Sequence, residues 1–325
     1  MRAVEQEIGA RGAKDGALIV VAGPTASGKS ALALTLAEAL DGVVINADSV
    51  QLYRELRILS ARPGPDEEAR APHRLYGVLP AGEACSAGRW RALAEGEIER
   101  CWREGRLPIV AGGTGLYLRA LLKGLAPVPS IPEAVRRRAR TLYAELGGPA
   151  FRAELARRDP EMAARLVAGD RQRLMRAFEV MEATGRSLAD WQRETPEGIR
   201  AGLHVLLLDP PRAALYDACE RRVERMIAEG ALDELEALAG LELDPGLPAM
   251  KAVGVRELLA YLRGESALER AIAEAKKATR RYAKRQITWF RHQMLEVDVV
   301  SDGYEAGAAE RVVRRIEGAL LTANS

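Results

Sequence analysis

The segment GPTASGKS at residues 23–30 matches the pattern G-x-x-x-x-G-K-[ST] at every specified position. Gly23 and Gly28 allow a tight backbone turn whose N–H groups point inward at phosphate oxygens. Lys29 adds a positive charge, Ser30 can hold Mg²⁺, and the helix that follows adds its partial positive charge. The segment therefore predicts a polyphosphate site, a P-loop, but it does not say which polyphosphate is bound.

Two further polar segments follow apolar runs, NADSVQLY at 46–53 and GGTGLY at 112–117. Residues just beyond the ends of parallel strands line the binding crevice of such sheets, so we expect Asp48 near the P-loop. There it could bind Mg²⁺ or act as a general base, or it could be the N-cap of a short helix. Thr114 has a hydroxyl that can hydrogen-bond a substrate. The second segment lacks the aspartate that holds metal in many P-loop NTPases, which argues against an ordinary NTPase.

A fourth segment, residues 276–291, contains seven basic residues and no acidic one. At helical spacing, Lys277, Arg281 and Lys284 share one side, and an apolar stripe occupies another. Such a run is more often a solvated helix face, but its single sign favours contact with nucleic-acid phosphates. The apolar stripe consists of Ala283, Ile287, Phe290 and Met294.

The elements that must position these residues alternate along the chain. Apolar runs at 17–22, 42–46 and 107–112 are separated by helix-like segments, which predicts βαβ units and a parallel sheet. The expected fold class is α/β, a P-loop NTPase-like parallel sheet flanked by helices. Further strands are expected at 204–209 and 296–300, with helices at 29–40, 86–104, 211–229, 231–239, 265–294 and 307–321.

Residues 131–200 differ in character, with no convincing strand and with fourteen arginines against eleven acidic residues. We interpret them as an all-helical insertion that contacts RNA. The expected domains are therefore a flexible leader at 1–16, a catalytic core formed by 17–130 and 201–325, and the insertion at 131–200.

The composition of the chain limits the possible functions less strictly than the motifs do. The chain of 325 residues has a formal net charge of +2, so charge alone does not indicate a nucleic-acid partner. Cys85, Cys101 and Cys219 form no CxxC pair, which argues against a zinc site or a disulfide scaffold. The sequence has neither a secretory signal nor an apolar run of membrane-spanning length. We expect a cytoplasmic protein, and a monomer.

Several blocks in the same order resemble the tRNA dimethylallyltransferases, also called tRNA isopentenyltransferases, of the bacterial type. The resemblance extends from about Ala17 to Phe290. The P-loop is shared by many families, whereas the other blocks together are highly specific. The blocks are GPTASGKS at 23–30, NADSVQLYR at 46–54, APHRLYGVLP at 71–80, VAGGTGLYLRALL at 110–122, GDRQRLMRAFEVMEATG at 169–185, AMKAVGVREL at 249–258 and TRRYAKRQITWFR at 279–291.

The resemblance implies that the P-loop binds the diphosphate of dimethylallyl diphosphate rather than a consumed nucleotide. The acceptor would be the exocyclic amine of the adenosine on the 3′ side of the anticodon. By position, Asp48 is the expected general base and Thr114 a hydrogen-bonding partner at the reaction centre. Lys29, with Arg136 or its neighbour Arg137, is expected to neutralise the leaving diphosphate, and Mg²⁺ is expected at Ser30.

Binding residues also follow from the resemblance. The diphosphate is expected on Gly23, Pro24, Thr25, Ala26, Ser27, Gly28, Lys29 and Ser30. Contacts with the tRNA anticodon stem-loop are expected from Asp48, Ser49, Val50, Gln51, Thr114, Gln172, Arg173, Leu174, Met175, Arg176, Lys251, Ala252, Val253, Gly254, Val255 and Arg256, with Arg281 and Lys284 added from the basic segment.

One loop departs from the family pattern. After Tyr53 the family commonly reads Arg-Gly-Met-Asp-Ile-Gly-Thr-Ala-Lys-Pro, and here Arg57 and Leu59 replace its aspartate and second glycine. The role of residues 55–62 is therefore open.

Two other functions compete with the prenyltransferase. A P-loop kinase that uses ATP on a small metabolite would explain the P-loop but not the basic helix. A non-catalytic RNA-binding protein with a nucleotide pocket would explain the basic helix but gives Asp48 and Thr114 no task.

Overall fold

The computed structural model describes residues 16–194, 197–294, 297–301 and 306–322. The expected leader at 1–16 lies outside them except for Gly16. The chain divides into two units, a core unit of Met1–Leu122 with Ile199–Ser325 and an insertion unit of Lys123–Gly198.

In the described residues, one six-stranded parallel sheet forms the centre of the core unit, in the order β3-β2-β4-β1-β5-β6. This confirms the expected fold class. The inner strands β1, β2 and β4 are buried on both faces, which is why they appear in the sequence as unbroken apolar runs. The strands are β1 (Ala17–Ala22), β2 (Gly42–Asn46), β3 (His73–Arg74), β4 (Leu107–Gly112), β5 (Gly202–Leu208) and β6 (Asp298–Val300).

Helices cover the sheet and build the insertion unit. In the core unit they are α1 (Lys29–Ala39), α2 (Pro65–Arg70), α3 (Ala87–Arg103), α4 (Gly115–Lys123, which ends at the unit boundary), α9 (Arg212–Ala228), α10 (Ala231–Ala239), a 3₁₀ turn (Ala249–Lys251), α11 (Val255–Leu262), α12 (Leu268–Gln293) and α13 (Ala306–Thr322). In the insertion unit they are α5 (Glu133–Arg158), α6 (Pro160–Arg165), α7 (Arg171–Thr184) and α8 (Leu188–Arg193).

The core lies on the two faces of the sheet, as the alternation of strand side chains requires. In β1, Leu18 and Val20 pack into one buried cluster, and Ile19 and Val21 pack into the other. The first cluster includes Trp90, whose indole stacks on a tyrosine of α4 with ring centroids 4.7 Å apart. The sheet is therefore rigidly supported where its strands end.

The strand register aligns the carboxyl ends of β1, β2 and β4. Ala22 pairs with Gly112, and Asn46 pairs with Ala111. The P-loop and the segments 46–53 and 112–117 begin at these ends, so the fold gathers them along one edge of the sheet, as expected for open parallel sheets.

The insertion unit has a hydrophobic core of its own, around Phe151 and Phe178, whose ring centroids are 5.3 Å apart. Its described residues contain no strand. Helix α5 is interrupted at Gly147, which has φ 70°, and Pro149 follows within two residues.

The sequence missed several short elements of the core unit. Strand β3 spans two half-buried residues, too few to give an apolar run. The strand expected at 296–300 is observed at 298–300, and residue 296 lies outside the described residues. No described helix combines the length and apolarity needed to cross a membrane.

Candidate functional site

The loop between β1 and α1 has the backbone of an anion cradle. Ala26 and Gly28 both have positive φ, 63° and 88°. Gly28 is the N-cap of α1, and no side chain caps this helix. The first amides of a helix have no partner within the helix, so those of α1 can bind an anion.

Thr25, Ser27 and Lys29 are the buried polar residues of this loop and the first position of α1. The Oγ atom of Ser27 has no hydrogen-bond partner among the described residues. The Nζ atom of Lys29 donates to the carbonyl of Pro24 at 3.3 Å, with the residue 8% exposed. Burial lowers the pKa of Lys29 to about 8, against the opposing effect of the Asp48 carboxylate. Phosphate oxygens would satisfy both groups.

The turn after β2 is fixed by the buried side chain of Asn46. Its Nδ2 donates to the carbonyls of Asp48 and Leu75 at 3.0 Å each, and its Oδ1 accepts from the amide of Asp48 at 2.7 Å. Within the part of the chain that the structure describes, the Asp48 carboxylate accepts one hydrogen bond, from the amide of Val50 at 3.0 Å. The segment that follows forms turns rather than a helix, so Asp48 is not a helix N-cap.

Thr114 lies directly against this turn. Its Oγ1 accepts from the amide of Ser49 at 2.9 Å, and its own amide donates to the carbonyl of Ala47 at 3.2 Å. The fold thus brings the expected hydrogen-bonding partner into contact with the residues beside Asp48, although 65 positions separate them in the chain.

Arg222 of α9 was not picked out in the sequence, where it is one arginine among several in a helix. In the structure it is half-buried, and burial lowers its pKa while the Asp48 carboxylate raises it. Its charge also lowers the pKa of Lys29. Arg222 is therefore a second cation whose charge interacts with those of Lys29 and Asp48. Burial, and after it the Asp48 carboxylate, raises the pKa of the Tyr76 and Tyr282 phenols.

Gln286 of α12 was also missed, and it connects two parts of the site. Its Oε1 accepts from the amide of Thr25 in the P-loop at 2.9 Å, and its Nε2 donates to the carbonyl of Gly113 at 2.8 Å. The approach is close enough that a Cβ atom added at Gly113 would lie 2.4 Å from Nε2. Gln286 is only 6% exposed, and nothing in the sequence indicates that a glutamine in a basic helix is buried.

Helix α12 presents a basic face near this point. Lys276, Lys277, Arg280 and Arg291 form ion pairs with Glu224, Glu274, Glu220 and Asp209. Arg281, Lys284 and Arg285 are exposed, and within the described residues no ion pair is found for them. An open cavity of about 570 Å³ is lined by Arg281, Lys284, Arg285, Thr288, Trp289, His292 and Gln293.

The other expected tRNA residues differ in exposure. In the segment 251–256, Lys251 and Arg256 are exposed, whereas Ala252, Gly254 and Val255 are buried. In the insertion unit, Gln172 and Arg173 are exposed on α7, Met175 and Arg176 are half-buried, and Leu174 is buried in that unit's core. Arg136 and Arg137 are exposed on α5 of the insertion unit.

Few of the described residues could hold a metal ion. Ser30 is exposed in the first turn of α1. No group of three or more histidine, cysteine, aspartate or glutamate side chains in the described residues could hold a metal ion. Mg²⁺ usually keeps several waters and is shared with substrate phosphates, so a serine beside an anion cradle fits Mg²⁺ better than it fits zinc.

The chain is similar to known proteins over most of its length. The family model described as "IPP transferase" matches residues 51–293, and that described as "Isopentenyl transferase" matches residues 16–79. A tRNA dimethylallyltransferase of Paramagnetospirillum magneticum is 53% identical over 306 residues, 94% of this chain and 97% of the relative. That of Rhodospirillum centenum is 57% identical over 279 residues, 85% of this chain and 89% of the relative.

Solved structures give the same result. A tRNA isopentenylpyrophosphate transferase of Bacillus halodurans superposes with a TM-score of 0.68 at 31% identity, covering 95% of this chain and 98% of that one. A eukaryotic dimethylallyltransferase described as acting on tRNA gives a TM-score of 0.80 at 26% identity, covering 91% and 77%.

Proposed function

The chain belongs to the IPP transferase family, and from this premise we propose that it transfers a dimethylallyl group from dimethylallyl diphosphate to tRNA. The acceptor is the N6 amine of the adenosine 3′-adjacent to the anticodon, and diphosphate is released. The chain is thus an enzyme, a tRNA prenyltransferase. The alternative of a P-loop kinase is not favoured, because the curated relatives are tRNA dimethylallyltransferases.

The P-loop supports the assignment of the donor. Its anion cradle holds a buried ammonium, Lys29, and an unpartnered buried hydroxyl, Ser27. As the allylic C–O bond breaks, negative charge grows on the diphosphate, and fixed donors in a buried loop stabilise that charge. The single observation that carries the proposal is that this cradle and Asp48 lie at the same edge of the sheet, beyond the carboxyl ends of β1 and β2.

Asp48 supports the assignment of the acceptor chemistry. The adenine amine is a weak nucleophile, since its lone pair is delocalised into the ring, so removal of its proton as the C–N bond forms lowers the barrier. The carboxylate accepts one hydrogen bond from the protein and keeps lone pairs for the amine. Thr114, held against the same turn, supplies a hydroxyl beside it. The adenine must leave the anticodon stack to reach this position.

We assign stabilisation of the leaving diphosphate to Lys29 and Arg222, because both charges lie near Asp48 in the core unit. Arg136 stays a prediction for the same task. Ser30 is the residue that would hold Mg²⁺, which supplies further positive charge to the diphosphate when bound.

The exposed cations of α12 support the tRNA contact. Arg281, Lys284 and Arg285 are the part of the basic run that is not paired within the described residues, and they surround an open cavity. Phosphate contacts of this kind position a nucleic acid without reading its sequence. We propose that they bind the anticodon stem-loop, together with the insertion unit, and that the enzyme works in the cytoplasm as a monomer.

The test is transfer of labelled dimethylallyl from its diphosphate to unmodified tRNA, with Mg²⁺ and without ATP. We expect label on the adenosine beside the anticodon. Phosphorylation of a small acceptor by ATP, with no transfer, would replace this function with the kinase.

The variant Asp48→Asn tests the role of the carboxylate in the same assay. We expect kcat to fall by about 10²–10⁴-fold, the range for loss of a general base, with tRNA affinity changed by less than about threefold. Asp217→Asn removes the same charge from an exposed position of α9 and is the matched control. Equal loss of tRNA affinity and turnover in Asp48→Asn would assign Asp48 to binding instead.

A further inference from the structure

The loop of residues 56–62 holds two side chains of the proposed site by its backbone. The carbonyl of Ser60 accepts from Nη2 of Arg222 at 2.8 Å and from Nε2 of Gln51 at 3.0 Å. The carbonyl of Ala61 accepts from the same amide group of Gln51 at 2.8 Å. The loop belongs to residues 55–62, the segment whose sequence departs from the family pattern, and it supplies the carbonyl that accepts from the Arg222 guanidinium.

Glu234, in the first turn of α10, binds the other end of this loop. Its Oε2 accepts from the amides of Arg57 and Ile58 at 2.7 Å each, and its Oε1 accepts from the amide of Leu59 at 2.9 Å. Three consecutive backbone amides therefore converge on one carboxylate. Hydrogen bonds to an ionised acceptor are about twice as strong as neutral ones. These bonds depend on the backbone and not on the side chains at 57 and 59, so the departures there leave them intact.

We propose that Glu234 is a positioning residue for the transfer reaction, acting through this loop on Arg222. The proposal rests on the proposed function, which assigns Arg222 to the diphosphate. Glu234 fixes the amides of residues 57–59, and the Ser60 carbonyl that follows them accepts from Nη2 of Arg222, whose charge interacts with those of Lys29 and Asp48.

Glu234 can act through the loop because a half-buried arginine loses a hydrogen bond when it is displaced. If the loop shifts, Nη2 of Arg222 loses its acceptor, and the guanidinium turns to find another. A cation that stabilises a developing charge must be held to about half an ångström, so a small displacement weakens its effect on the diphosphate. Leu56 and Leu59 pack into the hydrophobic core, but neither bonds the Ser60 carbonyl.

The variant Glu234→Gln separates this role from simple packing. Glutamine keeps the volume but has one acceptor oxygen, so its NH₂ group would face a backbone N–H of the loop. We expect the Kd for inorganic diphosphate with Mg²⁺, and the KM for dimethylallyl diphosphate, to rise on the order of tenfold. Glu236→Gln, an exposed glutamate of the same helix, is the control and is expected to change either value by less than about twofold.

A double-mutant cycle with Arg222→Gln gives the decisive readout. If Glu234 acts through Arg222, Glu234→Gln adds less than about twofold to the diphosphate Kd once Arg222 is removed. An equal effect in both backgrounds, or a loss of thermal stability with an unchanged diphosphate Kd, would make Glu234 a structural residue and overturn the proposal.

A second variant and a binding measurement without tRNA allow the proposal to be tested in every case. Should Glu234→Gln not fold, Glu234→Asp retains the charge with a carboxylate withdrawn by one methylene, and the same cycle is run with it. Diphosphate binding is measured without tRNA, so the coupling of Glu234 to Arg222 is decided even if the wild-type enzyme transfers no prenyl group. That latter result would remove the proposed function and not the coupling.

Discussion

At the residue scale, Lys29 carries the pH dependence of the P-loop. Its pKa is about 8 because burial disfavours the ammonium, whereas an exposed lysine titrates near 10.4. Between these two values the unfolded chain binds more protons than the folded one. The contribution of this group to the free energy of unfolding therefore rises with pH across that window.

The affinity for diphosphate should fall as the pH rises, whereas the contribution of Lys29 to the free energy of unfolding increases. A bound anion favours the ammonium, so binding near pH 8 takes up a proton, and affinity falls as the pH rises above 8. We expect the Kd for inorganic diphosphate to increase by up to about tenfold per pH unit in that range. Titration calorimetry in buffers of different ionisation enthalpy measures the proton uptake.

Lys29→Arg is the matched control, because arginine stays charged and leaves only the titration of diphosphate itself. If the variant and the wild type lose affinity with pH in parallel, the lowered pKa of Lys29 plays no part in binding.

At the element scale, helix α12 links the donor and acceptor sides of the site. Gln286 bonds the P-loop at Thr25 and the β4–α4 turn at Gly113, the residue before Thr114. The helix also covers the start of α4, where a Cβ atom at Gly115 would lie 2.3 Å from Trp289. A buried amide with both ends satisfied fixes the distance between two loops better than apolar packing does.

Gln286→Met tests this link. It preserves length but leaves a buried N–H and a buried carbonyl without partners, at a cost of about 2–5 kcal/mol in the free energy of unfolding. We also expect kcat to fall on the order of tenfold, because the P-loop and Thr114 lose their fixed separation. Urea unfolding and saturating-substrate kinetics measure the two effects.

Gln192→Met, at an exposed position of α8, controls for the exchange itself. A Gln286→Met enzyme that is less stable but has the kcat of the wild type at a temperature where both are folded would limit Gln286 to stability.

At the scale of the whole molecule, the net charge of +2 gives no strong field for attracting RNA. Electrostatic binding must then come from local surfaces, and α12 offers one. Three of its cations pair with acidic residues outside the helix and Lys277 pairs with Glu274 of the same helix, whereas Arg281, Lys284 and Arg285 are exposed.

Removal of two of these charges should change the salt dependence of tRNA binding. We expect Arg281→Gln with Lys284→Gln to reduce the slope of log K against log salt by about 1.4–1.8, since each phosphate contact contributes about 0.7–0.9. Filter binding across a salt series measures the slope. Arg311→Gln with Arg314→Gln removes the same charge from exposed positions of α13, and an equal reduction there would mean that binding follows net charge.

The local features of this protein could be predicted from its sequence. The P-loop, the buried strands β1, β2 and β4 and the parallel sheet follow from glycine spacing and apolar runs, because these features act within a few residues. Asp48 and Thr114 could be named from their place after strands, and the blocks of the chain carried the family resemblance.

Which distant residues join the P-loop, Asp48 and Thr114 in the site depends on the tertiary packing. Arg222, Gln286 and Glu234 each lie in a helix where their types are ordinary, and nothing local distinguishes them from solvated side chains. Their partners are more than 160 positions away, as for the 162 between Arg222 and Ser60. The packing of α9, α10 and α12 against the strand ends buries these polar groups. A buried polar group must find a partner, and this requirement makes them part of the site.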